Sequence, residues 1–222
     1  MFKLISLHSL GAAMAALSIP MAAVAQGTST TDKHVFAVFF ADGPAGCLIT
    51  TVSATEVIQT KPKPSTIQNL SSVDIAREFE GRDCATIIAG GAWSQITLAS
   101  GVSDQPPTEF TVDQRLTQAS LKMTIPIVFS ETGVEASLVA NVIWDGVVGQ
   151  LTPFRSHVTF PASSPGPVII HVSGYSRPAT SSGSLFDGTT DYAMNSVPTP
   201  FVRASVDVRT EHSAGPKPRL LH

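Results

Sequence analysis

The chain has 222 residues, with 14 Lys and Arg against 17 Asp and Glu and a formal net charge of −3. So sparse and slightly acidic a charge gives no electrostatic footprint for nucleic acid or for an anionic membrane surface. The length suffices for one sizeable core, and the 16 Pro and 16 Gly among abundant Ser and Thr predict many short strands and turns.

Residues 1–25 read as a signal peptide rather than as part of the fold. Lys3 opens it, Leu4 to Ala16 is mostly apolar, and Ala23-Val24-Ala25 is a small-x-small cleavage site. Ser9, Gly11 and Pro20 break the apolar run, which is too short for a stable span, though a retained anchor is the alternative reading. Without Lys3 the charge becomes 13 against 17, or −4. No membrane span is expected after cleavage. The expected location is secreted or periplasmic, and the Ala-rich leader is bacterial in style.

Residues 26–213 are expected to form a single all-β domain, an antiparallel β-sandwich of roughly ten strands. Residues 214–222 are expected to be a disordered tail. Gln26 to Lys33 reads as a loose polar leader. His34 to Phe40 (HVFAVFF) and Cys47 to Ile58 (CLITTVSATEVI) read as strands, separated by the turn signal Asp42-Gly43-Pro44. Lys61-Pro62-Lys63-Pro64 is a stiff connection. Val73 to Glu80 fits a helix capped by Ser72 or a strand; its period-2 pattern favours the strand. On that reading Glu78 and Glu80 share a solvent-facing side. Cys84 to Ala89 and Trp93 to Ala99 are two further short runs.

Phe110 to Phe129 contains a long strand ending in IPIVF. Pro126 implies an interrupted ladder or an edge within it. Ser130 to Gly133 is a hairpin turn, and Val134 to Trp144 returns as a strand apolar on both faces, expected to be central and covered on both sides. Leu151 to Phe160 and Val168 to Tyr175 form another hairpin, with Ala179 to Phe186 and Phe201 to Val208 as the last strands. Trp93 and Trp144 read as core or sheet residues rather than as a sugar platform.

Cys47 and Cys84 are the only cysteines. In an oxidising compartment an even count favours a disulfide, the alternative being two buried thiols. Neither has a partner at zinc-ligand spacing.

The sharpest local feature is a histidine at each end of HVTFPASSPGPVIIH. Pairing Phe160 with Val168 aligns the more apolar faces. The same register sets Val158 opposite Ile170, His157 opposite His171, and Arg155 opposite Ser173. Two opposed imidazoles could share a divalent ion, but a site needs a third ligand. Asp145 and His34 are the nearest conceivable helpers. The plain alternatives are a polar surface or a ligand face using Arg155, His157, His171 and Tyr175 as donors. No cofactor is implied.

Other chemistry is absent from the sequence as a pattern. There is no Gly-x-Ser-x-Gly elbow, no His-Glu-x-x-His, no phosphate loop and no dinucleotide fingerprint. No catalytic residue is assigned. Asp187-Gly188-Thr189-Thr190-Asp191 has oxygen ligands at calcium-like spacing but reads as a turn, because the later acidic positions of a calcium loop are missing.

The pieces VIWDGVVGQL, FRSH and SGYSRPATSSGSLFDGTTDY, with the upstream Asp83-Cys84 pair, resemble a group of secreted bacterial β-proteins of no characterised function. They cover about a third of the chain after the leader. The resemblance implies a secreted single-domain fold and no activity. The expected function is a non-catalytic binding or structural module whose partner is a protein or a small ligand. The alternatives are a metal-binding protein using the histidine pair and a secreted hydrolase whose residues meet only in three dimensions.

Overall fold

The computed structural model describes residues 28–43, 45–61, 63–89, 94–160, 168–193, 195–197 and 199–210, with the backbone alone at 28, 158, 160, 168, 195 and 200–210. The leader 1–25, Trp93, the 161–167 turn and the tail 214–222 lie outside the described residues.

Among the described residues there are eleven strands and one short helix. The strands are β1 (Thr28–Gly43), β2 (Gly46–Lys61), β3 (Ser65–Glu78), β4 (Gln95–Ser103), β5 (Glu109–Val112) and β6 (Gln118–Phe129). They continue as β7 (Glu135–Gly146), β8 (Thr152–Phe160), β9 (Val168–Phe186), β10 (Asn195–Ser196) and β11 (Thr199–Thr210), with α1 (Cys84–Ile88) between β3 and β4. Every pairing is antiparallel. The all-β antiparallel class expected from the sequence is what forms, and its layers face each other across one core as in a sandwich. β1 joins those layers. It pairs with β2 on one edge and with β11 and β10 on the other, so the ladder runs from β1 through β11, β9, β7, β6, β4, β3 and β2 back to β1.

The core lines the inner face of this curled sheet. Alternate residues of each strand point inward: Phe39 from β1, Ile75 from β3, Leu121 and Ile125 from β6, Leu138 and Trp144 from β7, and Leu185 from β9 are all fully buried. The Trp144 indole N–H donates to the Phe36 carbonyl at 2.9 Å, so this large ring is buried without leaving its donor unsatisfied. One seam is thin. β4 and β6 share only two ladder pairs, Ala99–Phe129 and Ser100–Val128. Both lie beyond Pro126, which has no N–H to give, so the interruption expected at that residue is where the two strands part.

A second, smaller cluster lies on the outer face. Val38, Phe40, Cys47 and Ile49 are covered there by Cys84 and Ile87 of α1. The Cys47–Cys84 disulfide forms and closes 37 residues of chain. The Asp83 side chain caps α1 by accepting from the Thr86 N–H at 2.7 Å, and Asp42 accepts from the Cys84 N–H at 3.1 Å.

Several expectations need correction. The polar segment Thr28–Lys33 is not loose; it is the first part of β1, laddered to β2 and β11. The short run at Cys84–Ile88 is a helix, because Asp83 caps it and five residues suffice to cover Phe40. Phe110–Phe129 contains the expected long strand, β6, ending in IPIVF; the short β5 precedes it across a turn in which Asp113 accepts from the Thr117 N–H at 2.6 Å. β7 is central as expected, between β6 and β9, but only its inner face is covered; Val139 and Ile143 are exposed. Glu78 and Glu80 do not face solvent together. Glu78 is fully buried beneath the 79–83 segment, where its carboxylate accepts from the Arg82 N–H at 2.9 Å, while Glu80 is exposed and pairs with the Arg82 side chain.

Candidate functional site

The β8–β9 hairpin forms in the register that its apolar faces predict. Phe160 is opposite Val168, Val158 opposite Ile170, His157 opposite His171, and Arg155 opposite Ser173. The two imidazoles stack, with centroids 4.8 Å apart and planes 15° from parallel. His157 Nε2 lies 3.1 Å from the Thr159 hydroxyl. Tyr175 is opposite Pro153, one pair further along the same face than Arg155, and is 48% exposed. The structure therefore brings Arg155, His157, His171 and Tyr175 onto one face, where Arg155, His157 and His171 are exposed as well.

The position of that face follows from β9. This strand is 19 residues long and makes two sets of contacts along one edge. Ala179 to Phe186 pair with β7, and Val168 to Ser176 pair with β8. Side chains alternate, and no register shift intervenes. His171, Ser173 and Tyr175 therefore continue the side that carries the buried residues Ala179, Ser181 and Leu185. The inner face of the sheet runs past the core and turns polar. At the opposite edge of this extension Lys33 and Glu56 form an ion pair at 2.5 Å, again on the inner positions of β1 and β2.

Arg177 stands where core gives way to polar face, and sequence reading missed it. The Cβ that Gly146 lacks would fall 2.6 Å from Arg177 Cδ, so the glycine makes room for the arginine stem. The Arg177 Nε is buried without a hydrogen-bond partner. A buried donor left open is costly, on the order of 1–3 kcal/mol. Arg155, Ser156, His157, His171, Val172 and Ser173 line a shallow surface hollow.

The helpers expected for a metal do not reach the pair. Asp145 is opposite Thr180, nine residues along β9 from His171, or about 30 Å of strand. It accepts instead from Gln118 at 3.2 Å. His34 occupies the outer face of β1, where its Nδ1 is 2.9 Å from the Thr55 hydroxyl and burial pushes its pKa down. Among the described side chains no group of three His, Cys, Asp or Glu could hold an ion. The register does place one further residue: Asp207 of β11 is the partner of His171. No signal within the hairpin could have found it, since it arrives from 36 residues away in sequence.

The 187–191 segment is a turn whose carboxylates are consumed locally. Asp187 accepts from the Thr189 and Thr190 N–H groups at 2.8 Å and from the Tyr192 hydroxyl at 2.7 Å. Asp191 accepts from the Leu185 and Ala193 N–H groups at 3.0 Å. No oxygen set converges there for calcium among the described residues.

No family model matches the sequence, and no curated protein matches it. One solved structure matches, described as a putative AttH from Nitrosomonas europaea, at 8% identity and a TM-score of 0.33 over 86% of this chain. The chain spans about half the length of that protein, 53% of it. Among the described residues no helix is long and apolar enough to cross a membrane.

Proposed function

We propose that the protein is an exported, non-catalytic binding module that takes a small anionic ligand on the polar extension of its inner face. The observation that carries this reading is the run of donors along β8 and β9. Arg155, His157, His171, Ser173 and Tyr175 are exposed on one side, and the buried Arg177 Nε, without a partner, lies at its base. Guanidinium, imidazole and phenol groups all donate, and Arg suits planar bidentate recognition of carboxylate or phosphate. In a chain of net charge −3 such a cluster is local, so it selects an anion by contact rather than by a general field. Export, suggested by the leader, is supported by the disulfide, which persists in oxidising compartments. The resemblance to secreted bacterial β-proteins belongs to the same proposal and adds no activity.

Calorimetric titration of the purified chain with inorganic phosphate and with citrate tests the binding face. The expected result is one site whose affinity falls at least tenfold in Arg155→Gln and in Arg177→Gln, with the fold unchanged by circular dichroism. Binding of equal strength in both variants would refute the assignment.

A further inference from the structure

We infer that the free edge of β8 pairs with β8 of a second copy of this chain, antiparallel about a two-fold axis at Ser156. β8 is laddered to β9 over all nine of its residues without a register shift, and to no other strand among the described residues. β6 does not reach it, since its first residue, Gln118, is opposite Asp145 of β7. The edge is therefore open, and Thr152, Pro153, Arg155, Ser156, His157 and Thr159 are exposed along it.

Edges of stable monomers are short, bulged or charged, because an open row of N–H and C=O groups is a template for another strand. Free edges elsewhere among the described residues follow that rule. β5 has four residues and β10 has two. Ser65–Leu70 of β3 extends past the end of β4, and its ladder with β2 slips register there. β8 has nine residues and no slip, and Pro153 blocks only its second position. Its one charge, Arg155, faces the polar extension of the inner face, where a paired neighbour does not bury it.

The occupant follows from the strand's own sequence, TPFRSHVTF. Antiparallel self-pairing keeps like faces together only when the axis passes through a residue. Ser156 is the middle residue, so an axis there pairs all nine. It sets Phe154 opposite Val158 on the outer side and Arg155 opposite His157 on the inner side. Moving the axis one residue either way shortens the ladder and sets Arg155 or His157 against its own image, and like charges directly opposite destabilise. At Ser156 each copy presents only a small hydroxyl to the other. The sheet already uses that contact: Ser53 and Ser72 are opposed on β2 and β3 with their hydroxyls 2.7 Å apart. A two-fold pairing of this kind closes as a dimer and does not propagate. It makes the two ligand faces continuous, yet it does not depend on the anion reading.

The test uses the full chain with its Cys47–Cys84 disulfide intact and Ser156→Cys as the added thiol. Opposed Cα atoms lie about 4.5–5.5 Å apart, within the reach of a disulfide. Thr152→Cys is the control. Its register partner is Phe160 of the other copy, so its own image lies about 27 Å away along the strand. In a glutathione redox buffer Ser156→Cys should form a covalent dimer at least tenfold faster than Thr152→Cys. Sedimentation equilibrium of the parent should show a reversible monomer–dimer equilibrium, weakened at least tenfold in Ser156→Lys. Ser156→Glu serves as the second variant where the first does not fold. A parent that stays monomeric at its highest soluble concentration, equal cross-linking of the two cysteine variants, or a Ser156→Lys chain that dimerises like the parent would each overturn the inference.

Discussion

Asp187 and Tyr192 show how one hydrogen bond can set limits to stability at both ends of the pH scale. Burial pushes the Asp187 carboxyl up, but donors from Tyr192, Thr190 and Thr189 together outweigh it and bring the carboxyl to about 2. Burial, then the bond to Asp187, raises Tyr192 to about 12. A carboxyl depressed on folding stabilises in full above its ordinary value of 3.8, and that contribution is lost as pH falls through about 2. A phenol raised on folding stabilises in full below 10.0, and that contribution is lost as pH rises through about 12. Asp187→Asn should weaken both limits. It should lower stability at neutral pH by about 1 kcal/mol, a figure discounted for the solvent beside the carboxylate. Denaturant unfolding at several pH values checks this, and an acid limb unchanged by the substitution would contradict it. Trp144 offers a second residue-scale test. Trp144→Phe removes buried volume and the bond to the Phe36 carbonyl, though Thr199 also donates to that oxygen. The expected loss is roughly 1–3 kcal/mol, read from the denaturation midpoint.

Among the elements, α1 is the part that the chain must hold in place by covalent means. Five residues are too few to be a stable helix alone, and this one is anchored by the Asp83 cap, the Asp42 contact and the disulfide. Closing 37 residues is worth about 4 kcal/mol in the chain-entropy model. Reduction should therefore lower the unfolding free energy by that order, measured with and without a thiol reductant; equal stability would show that the closed loop adds nothing. The β4–β6 seam is the weak element pair. Gly101 permits it, because an added Cβ would fall 2.0 Å from the Pro126 carbonyl oxygen. Gly101→Ala should cost roughly 1–3 kcal/mol. It should also speed amide exchange at Ser130, whose N–H donates to the Leu98 carbonyl of β4 at 2.8 Å. Exchange unchanged at that amide would place the strain elsewhere.

On the scale of the whole molecule, period-2 patterning reveals strands but not which strand ends continue past the core. The β8–β9 register was legible because opposed apolar residues fix it, and the histidine pairing followed from that register. The disulfide was legible from the even cysteine count taken with the expected oxidising compartment. The helix at Cys84 was not, since five residues carry no period and their cap is a single Asp. Nor could the sequence reveal that β7 is covered on one side only: Val139 and Ile143 look like core residues until the curl of the sheet turns them outward. Arg177 joins the site through the long-range pairing of β9 with β11, where it is opposite Phe201, and no local pattern encodes that pairing.

The central claim is that the inner face, where it leaves the core, is the ligand face. Backbone amide chemical shifts followed during phosphate titration test it most directly. The account predicts perturbations concentrated at 155–157 and 171–177, saturating together at a single affinity. Shifts that are absent, or that gather at the exposed Val139 and Ile143 of β7 instead, would contradict it.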